Sequence, residues 1–247
     1  MTPVEREGYK FYQDLQIPCY QTNRQTSLRP AAFMDLAQEL AMWAASGLGF
    51  GYDNLHVHHV AWVLSRMHIH FGNLPRWREK IRLYTWHKGS DGPFYLRDFI
   101  MQDAQGEPCI TCTSSWVVIN EESRHFVRPE ELKELLEVGG LDDAIATPAP
   151  KVQMPRGVEP KLAGEHTVSY SDLDLVGHTN NARYVVWAMD CLPLEVAEGA
   201  LKDLYIVFNK ETTFGEKVSL YRLKEGNAWY IEGRVETKTC FAVKFEY

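Results

Sequence analysis

One order of elements occurs twice in this chain of 247 residues, and that repetition limits the fold more than any single motif. The first copy opens with an extended segment, Phe11 to Tyr20. A turn and a helix follow, Pro30 to Trp43, with Pro30 suited to the first helical position and Gly47 and Gly49 placed to stop it. Four strand-like runs come next: Val60 to Phe71, Lys80 to Lys88, Phe94 to Asp103 and Cys109 to Asn120. The second copy begins at His166 to Tyr170 and continues with a helix from Asn181 to Cys191. Its strands are Leu204 to Phe214, Lys217 to Leu223, Ala228 to Glu236 and Lys238 to Tyr247. A single amphipathic helix laid on a curved sheet buries the apolar faces of both. The expected fold is therefore α+β, a tandem (double) hot-dog in which each half is a curved antiparallel sheet wrapped around one central helix. Residues 1–135 form the N-terminal domain and residues 161–247 the C-terminal domain. The segment 136–160, with Gly139-Gly140 and prolines at 148, 150, 155 and 160, has the composition of a linker.

The segment Ser171-Asp172-Leu173-Asp174-Leu175-Val176-Gly177-His178-Thr179-Asn180-Asn181 carries the candidate chemistry. It sets a carboxylate, Asp174, four residues before an imidazole, His178, and both lie just ahead of the second helix. Thr179 or Asn180 can cap that helix. A carboxylate can work on a water, and free N–H groups at a helix start can hold a developing oxyanion. An Asx turn followed by a helix cap is the competing reading of the same residues. Superposing the copies on Tyr20 and Tyr170 sets Arg24 against Asp174 and Leu28 against His178. Only the second half then supplies an acid/base pair. The first half, with Trp43, Phe50, Tyr52, Trp62 and Met67, is free to shape a substrate cavity, and Trp62 and Trp43 are its candidate substrate contacts.

Bulk properties narrow the class. A hydrophobic fraction of 45% fits a full globular core. No apolar run approaches the roughly 20 residues needed to cross a bilayer. The first residues have neither a basic nor an apolar leader region, so no signal peptide is expected. The net charge of −7 argues against nucleic-acid binding. Five cysteines do not make a disulfide framework, and a reducing cytoplasm is the expected setting. Cys109 and Cys112 fall on one strand with opposite facings, so they would not hold a metal together. The clusters His56, His58, His59 and His68, His70 lack a completing acid or thiol, and no metal is expected. Gly47-Leu48-Gly49-Phe50-Gly51 follows a helix and not a strand, unlike a dinucleotide fingerprint. Tyr184 and Trp187 read as helix packing. A G-x-S-x-G elbow is absent, which counts against a serine hydrolase.

These residues together resemble the acyl-acyl-carrier-protein (ACP) thioesterases of plants and bacteria. The likeness spans about residues 10 to 247. It rests on Asp172-Leu173-Asp174, His178, Asn180-Asn181, Tyr184 and Trp187 in the second half. In the first it rests on Met34 to Trp43, Trp62 to Met67, Thr85-Trp86 and Ser114 to Asn120. The resemblance implies hydrolysis of a fatty-acyl thioester on ACP, with no cofactor. It also implies catalytic roles for Asp174, His178 and, after a one-residue shift, Glu211, a residue that otherwise reads as an ordinary acid at the end of an alternating strand. The family's Asn falls at Val176 and its Cys at Thr212, so a mechanism needing that amide or thiol is not expected here. Asn181, at the helix start, is a candidate substrate contact. The implied partner is acyl-ACP, and a homodimer is compatible with the reading. Coenzyme A thioester hydrolysis, a hot-dog 3-hydroxyacyl dehydratase and a non-catalytic acyl-binding module remain the alternatives.

Overall fold

The computed structural model describes residues 3–128 and 142–247. They fall into two compact units. The first comprises residues 1–65 and 71–149, the second residues 66–70 and 150–247. Of the linker expected at 136–160, residues 136–141 lie outside the described residues.

In the first unit β1 (Glu5–Glu7) and β2 (Lys10–Gln16) lead into α1 (Pro30–Gly47) and the short α2 (Tyr52–His56). Then come β3 (Val60–Phe71), β4 (Lys80–Asp91), β5 (Phe94–Gln102), β6 (Pro108–Asn120) and β7 (Phe126–Val127). The strand order is β1-β2-β4-β5-β6-β3, with β7 on β6. Pro30 takes the first helical position, where its missing N–H costs nothing. Phe33, Met34, Ala37, Leu40, Ala41 and Ala44 make one buried stripe, and its alanines let the helix axis approach the sheet closely. Gly47 ends this helix against Phe11, whose ring would lie 2.8 Å from an added Cβ. Ala45, Phe50, Leu55, Val60, Tyr95 and Val118 form a core cluster, with Trp62 and Trp116 packed on it.

The second unit repeats the plan. β8 (Lys161–Thr167) precedes α3 (Asn181–Asp190) and the one-turn α4 (Leu194–Ala197). β9 (Asp203–Phe208), β10 (Lys217–Glu225), β11 (Ala228–Val235) and β12 (Lys238–Glu246) follow. Here the order is β9-β12-β11-β10-β8, and Arg66–His70 of β3 pair antiparallel with β9. Helix α3 sets the Tyr184 ring 4.8 Å from Phe241 and 5.8 Å from Phe208. The Phe241 ring packs on Gly233, where an added Cβ would fall 2.0 Å from it, so only glycine fits there. Each unit is thus a hot-dog, one long helix on an antiparallel sheet.

One element differs from the sequence expectation where it bears on the site. The strand expected at Leu204 to Phe214 stops at Phe208. The N–H groups of Asn209 and Lys210 both donate to the Cys240 carbonyl, at 2.8 and 3.0 Å. Two successive amides on one acceptor end the regular ladder, and Glu211 stands in the irregular stretch beyond it.

Candidate active site

Asp174 builds a tight turn out of its own side chain. Its Oδ1 accepts the N–H groups of Val176 at 3.0 Å and His178 at 3.1 Å. Its N–H donates to the His178 carbonyl at 2.8 Å, and its carbonyl accepts from Gly177 at 3.1 Å. Gly177 has φ +83°, the left-handed conformation such a turn requires. The Asx-turn reading of Asp174 therefore holds. Oδ2 makes no hydrogen bond among the described residues, so half of the carboxylate is left for other work. Val176 is half exposed, and its part in the turn is played by its backbone.

The turn delivers His178 to Glu211. His178 Nδ1 lies 3.2 Å from Glu211 Oε2, and each side chain is about one-third exposed, at 35% and 36%. Both groups are partly open to solvent. A bridge between His178 and Thr213 locks the two loop segments together. A carboxylate on Nδ1 favours the tautomer with its proton there and leaves Nε2 as the other ring nitrogen.

Helix α3 begins beside this pair. Asn180 is its N-cap, its Oδ1 accepting from Ala182 N–H at 2.9 Å. The amides of Thr179, Asn180 and Arg183 donate to Thr212 O, Asp172 O and Asn180 O, at 2.9, 2.8 and 2.9 Å. The Asn181 amide alone in this run has no acceptor among the described residues. It lies at the positive end of the helix dipole, where an oxyanion is favoured.

A buried hydroxyl cluster underlies the pair. Thr212 N–H donates to the Tyr184 phenol oxygen at 3.0 Å. Thr212 Oγ1 lies 3.0 Å from the same phenol and 2.7 Å from Thr179 Oγ1. Burial pushes the Tyr184 phenol up from its ordinary pKa, against the effect of its Thr212 bonds, so it stays a neutral hydroxyl. Tyr184 does pack against Trp187, as its position in the helix implies, but its hydroxyl has this further role. Sequence reasoning missed the cluster because its members come from separate elements with no shared period.

Other expected residues take different places. Asp172 braces the short turn at Tyr170–Asp172: Oδ2 accepts from Ser169 N–H at 2.8 Å and meets His166 Nε2 at 2.8 Å. Its burial works upward on the carboxyl pKa, but the hydrogen bonds from His166 and Ser169 outweigh it and hold the group below the ordinary range. Trp62 joins the first unit's core, its Nε1 donating to Phe50 O at 3.0 Å. Trp43 stands on the outer side of α1, 53% exposed and bonded to Glu39, apart from that core. The buried stripe of the helix passes through Leu40, Ala41 and Ala44 instead. His68 and His70 both bond Asp203 Oδ1, at 2.8 and 3.0 Å. The five cysteines are free thiols. Burial pushes the Cys109 thiol up to about 11 and that of Cys112 well above its ordinary value, so neither is a ready nucleophile.

The hydrogen bonds also correct the superposition of the two copies. Asn23, not Arg24, is the counterpart of Asp174. Its Oδ1 accepts from Gln25 and Ser27 N–H, both at 3.0 Å, and its own N–H donates to Ser27 O at 2.9 Å. Ser27 then matches His178, since Ser27 bridges Arg76 as His178 bridges Thr213. Leu28 matches Thr179, because Leu28 N–H donates to Pro75 O as Thr179 N–H donates to Thr212 O. Pro30 matches Asn181, Phe33 matches Tyr184 and Leu74 matches Glu211. The tyrosines misled because Tyr20 and Tyr170 are 74% and 86% exposed, and packing fixes neither position.

Comparison with known proteins places this arrangement among relatives. Residues 8–136 match the family model of the acyl-ACP thioesterase N-terminal domain, and residues 158–240 that of the C-terminal domain. Oleoyl-acyl carrier protein thioesterase 2 of Arabidopsis thaliana, a chloroplastic protein, is 26% identical over 215 residues, covering 78% of this chain and 56% of the relative. The chloroplastic dodecanoyl-[acyl-carrier-protein] hydrolase of Cinnamomum camphora is 26% identical over 220 residues, covering 83% and 57%. The chain therefore spans little more than half the length of these relatives. The fold matches the 12:0-ACP thioesterase from Umbellularia californica with a TM-score of 0.86 at 20% identity, covering 98% of both chains. An acyl-ACP thioesterase from Bacteroides thetaiotaomicron gives a TM-score of 0.80 at 22% identity, covering 96% of this chain and 97% of the other. Among the described residues, no helix is long and apolar enough to cross a membrane.

Proposed function

This chain belongs to the acyl-ACP thioesterase family, and from that premise we propose that it hydrolyses a fatty-acyl thioester on acyl carrier protein to free fatty acid and holo-ACP. The observation that carries the reading is the His178–Glu211 contact of 3.2 Å beside the open amide of Asn181. Glu211 holds Nδ1–H, and Nε2 takes a proton from the attacking water. Asp174 keeps the turn with Oδ1 and offers Oδ2 to the same water. The Asn181 N–H holds the carbonyl oxygen as it becomes an oxyanion. When the tetrahedral adduct collapses, the C–S bond breaks and the departing thiolate takes the proton from Nε2. A thioester is activated enough that this needs no cofactor.

In this reading residues 161–247 do the chemistry, and residues 1–135 shape the acyl cavity with Trp62 as a lining candidate. The reaction would end fatty-acyl elongation on the carrier, as a step of fatty acid biosynthesis. Free cysteines suit a reducing compartment such as the cytoplasm. The test is thiol release from matched dodecanoyl- and oleoyl-ACP and the corresponding coenzyme A thioesters. Preferred turnover of an ACP thioester is the expected result. Preferred turnover of the coenzyme A thioesters, binding without turnover, or enoyl formation from a 3-hydroxydodecanoyl thioester run alongside would each overturn it.

A further inference from the structure

The chain on either side of the reactive pair is pinned from beneath by one buried cluster. Thr179 directly follows His178, and Thr212 directly follows Glu211. Thr212 has its N–H, carbonyl and hydroxyl all engaged: N–H on Tyr184, carbonyl on Thr179 N–H, hydroxyl within reach of both side chains. Thr179, Thr212 and Tyr184 are 4%, 0% and 2% exposed, so solvent does not substitute for these bonds. A chain so held leaves its neighbour few alternative positions, and the two neighbours are His178 and Glu211.

The first copy is an internal control. At the same three places it carries Leu28, Pro75 and Phe33, which are also buried. It keeps the same turn and the same Leu28-to-Pro75 backbone bond without any of the three hydroxyls. The fold does not require the cluster. It occurs in the copy that has the acid/base pair and is replaced by apolar groups in the copy that lacks it.

We propose that Tyr184 and Thr212 are positioning residues that hold Glu211 and His178 in contact through the Thr179–Thr212–Tyr184 hydroxyl cluster. The proposal rests on the assignment of that pair to the hydrolysis. A 1 Å misplacement of a reacting group can cost about 10²-fold in rate, so loosening one support is expected to act on kcat before binding.

The test uses the full chain with dodecanoyl- or oleoyl-ACP, whichever it turns over faster. Tyr184→Phe reproduces the first copy, and Thr212→Val removes one hydroxyl while keeping the bond from its backbone N–H to Tyr184. Both should lower kcat about tenfold or more with KM within about twofold, while Thr212→Ser stays near the parent protein. Should Tyr184→Phe fail to fold, Thr212→Val and Thr212→Ser decide the question alone. Parent-like kcat in Thr212→Val would overturn the proposal. So would a loss in Thr212→Ser as large as in Thr212→Val, since filling space and not hydroxyl bonding would then be the role. Failure of the underlying assignment looks different: Glu211→Gln and His178→Ala would themselves keep parent turnover.

Discussion

Asn23 and Asp174 fold the chain in the same way and differ in what they leave over. Each side chain takes two backbone N–H groups, and each turn closes with a residue at positive φ, Thr26 at +68° and Gly177 at +83°. The backbone frame is therefore common to both copies. On it the first copy places Ser27, Pro30, Phe33, Leu74 and Pro75, and the second places His178, Asn181, Tyr184, Glu211 and Thr212. Acid, base, open amide and buried hydroxyls are all confined to the second set. The frame belongs to the fold, and under the proposed hydrolysis the reactivity is a set of side chains laid over it.

The sharpest way to break this comparison is to write a residue of the inert copy into the other. Asn181→Pro imports Pro30, which suits a first helical position but has no N–H. Removing one oxyanion donor costs roughly 3 kcal/mol in comparable sites, or about 10²-fold in kcat. Asn181→Ala keeps the amide and should lose far less. Steady-state kinetics on both variants checks this. Equal losses would assign the effect to the side chain instead.

A smaller effect tests what the first unit does with its own buried polar groups. His87 is 5% exposed, with Nδ1 at 2.9 Å from Leu96 O. Burial, with help from the Arg97 charge, lowers its pKa from 6.5 to about 4. Between those values the unfolded chain binds a proton that the folded chain does not, so stability falls as pH falls through that window. The depression corresponds to about 3 kcal/mol, all of it present above pH 6.5. Urea midpoints measured from pH 7 to 4.5 should drop in the parent protein and drop less in His87→Gln. A parallel decline in the two would contradict the assignment.

The contrast between the copies also shows what a sequence discloses. Element order was legible because strand and helix periods are local: the strand expected at Val60 to Phe71 is the strand observed. The Asp174 and His178 spacing was legible because a turn of this kind is local too. Glu211 was reached through the family likeness, since residues 209–216 leave the alternating pattern for hydrogen bonds to Cys240 and Tyr184. The register between copies slipped by one because two exposed tyrosines served as the anchor. In the correct register, Tyr184, Thr179 and Thr212 stand against Phe33, Leu28 and Pro75. That polar-for-apolar exchange was the available signal of a buried network.

The proposed hydrolysis sits in the second copy, on His178 and Glu211 with Asp174 beside them. The most direct measurement is kcat on ACP thioesters for His178→Ala, Glu211→Gln and Asp174→Asn, with Ser27→Ala as the first-copy control. Asp174→Asn is the discriminating member, because Asn23 shows that a carboxamide holds this turn with the same two bonds. Losses of at least ~10²-fold are expected in each of the three, with melting temperatures near the parent's, and no loss in the control. Near-parent kcat in folded His178→Ala and Glu211→Gln would contradict it.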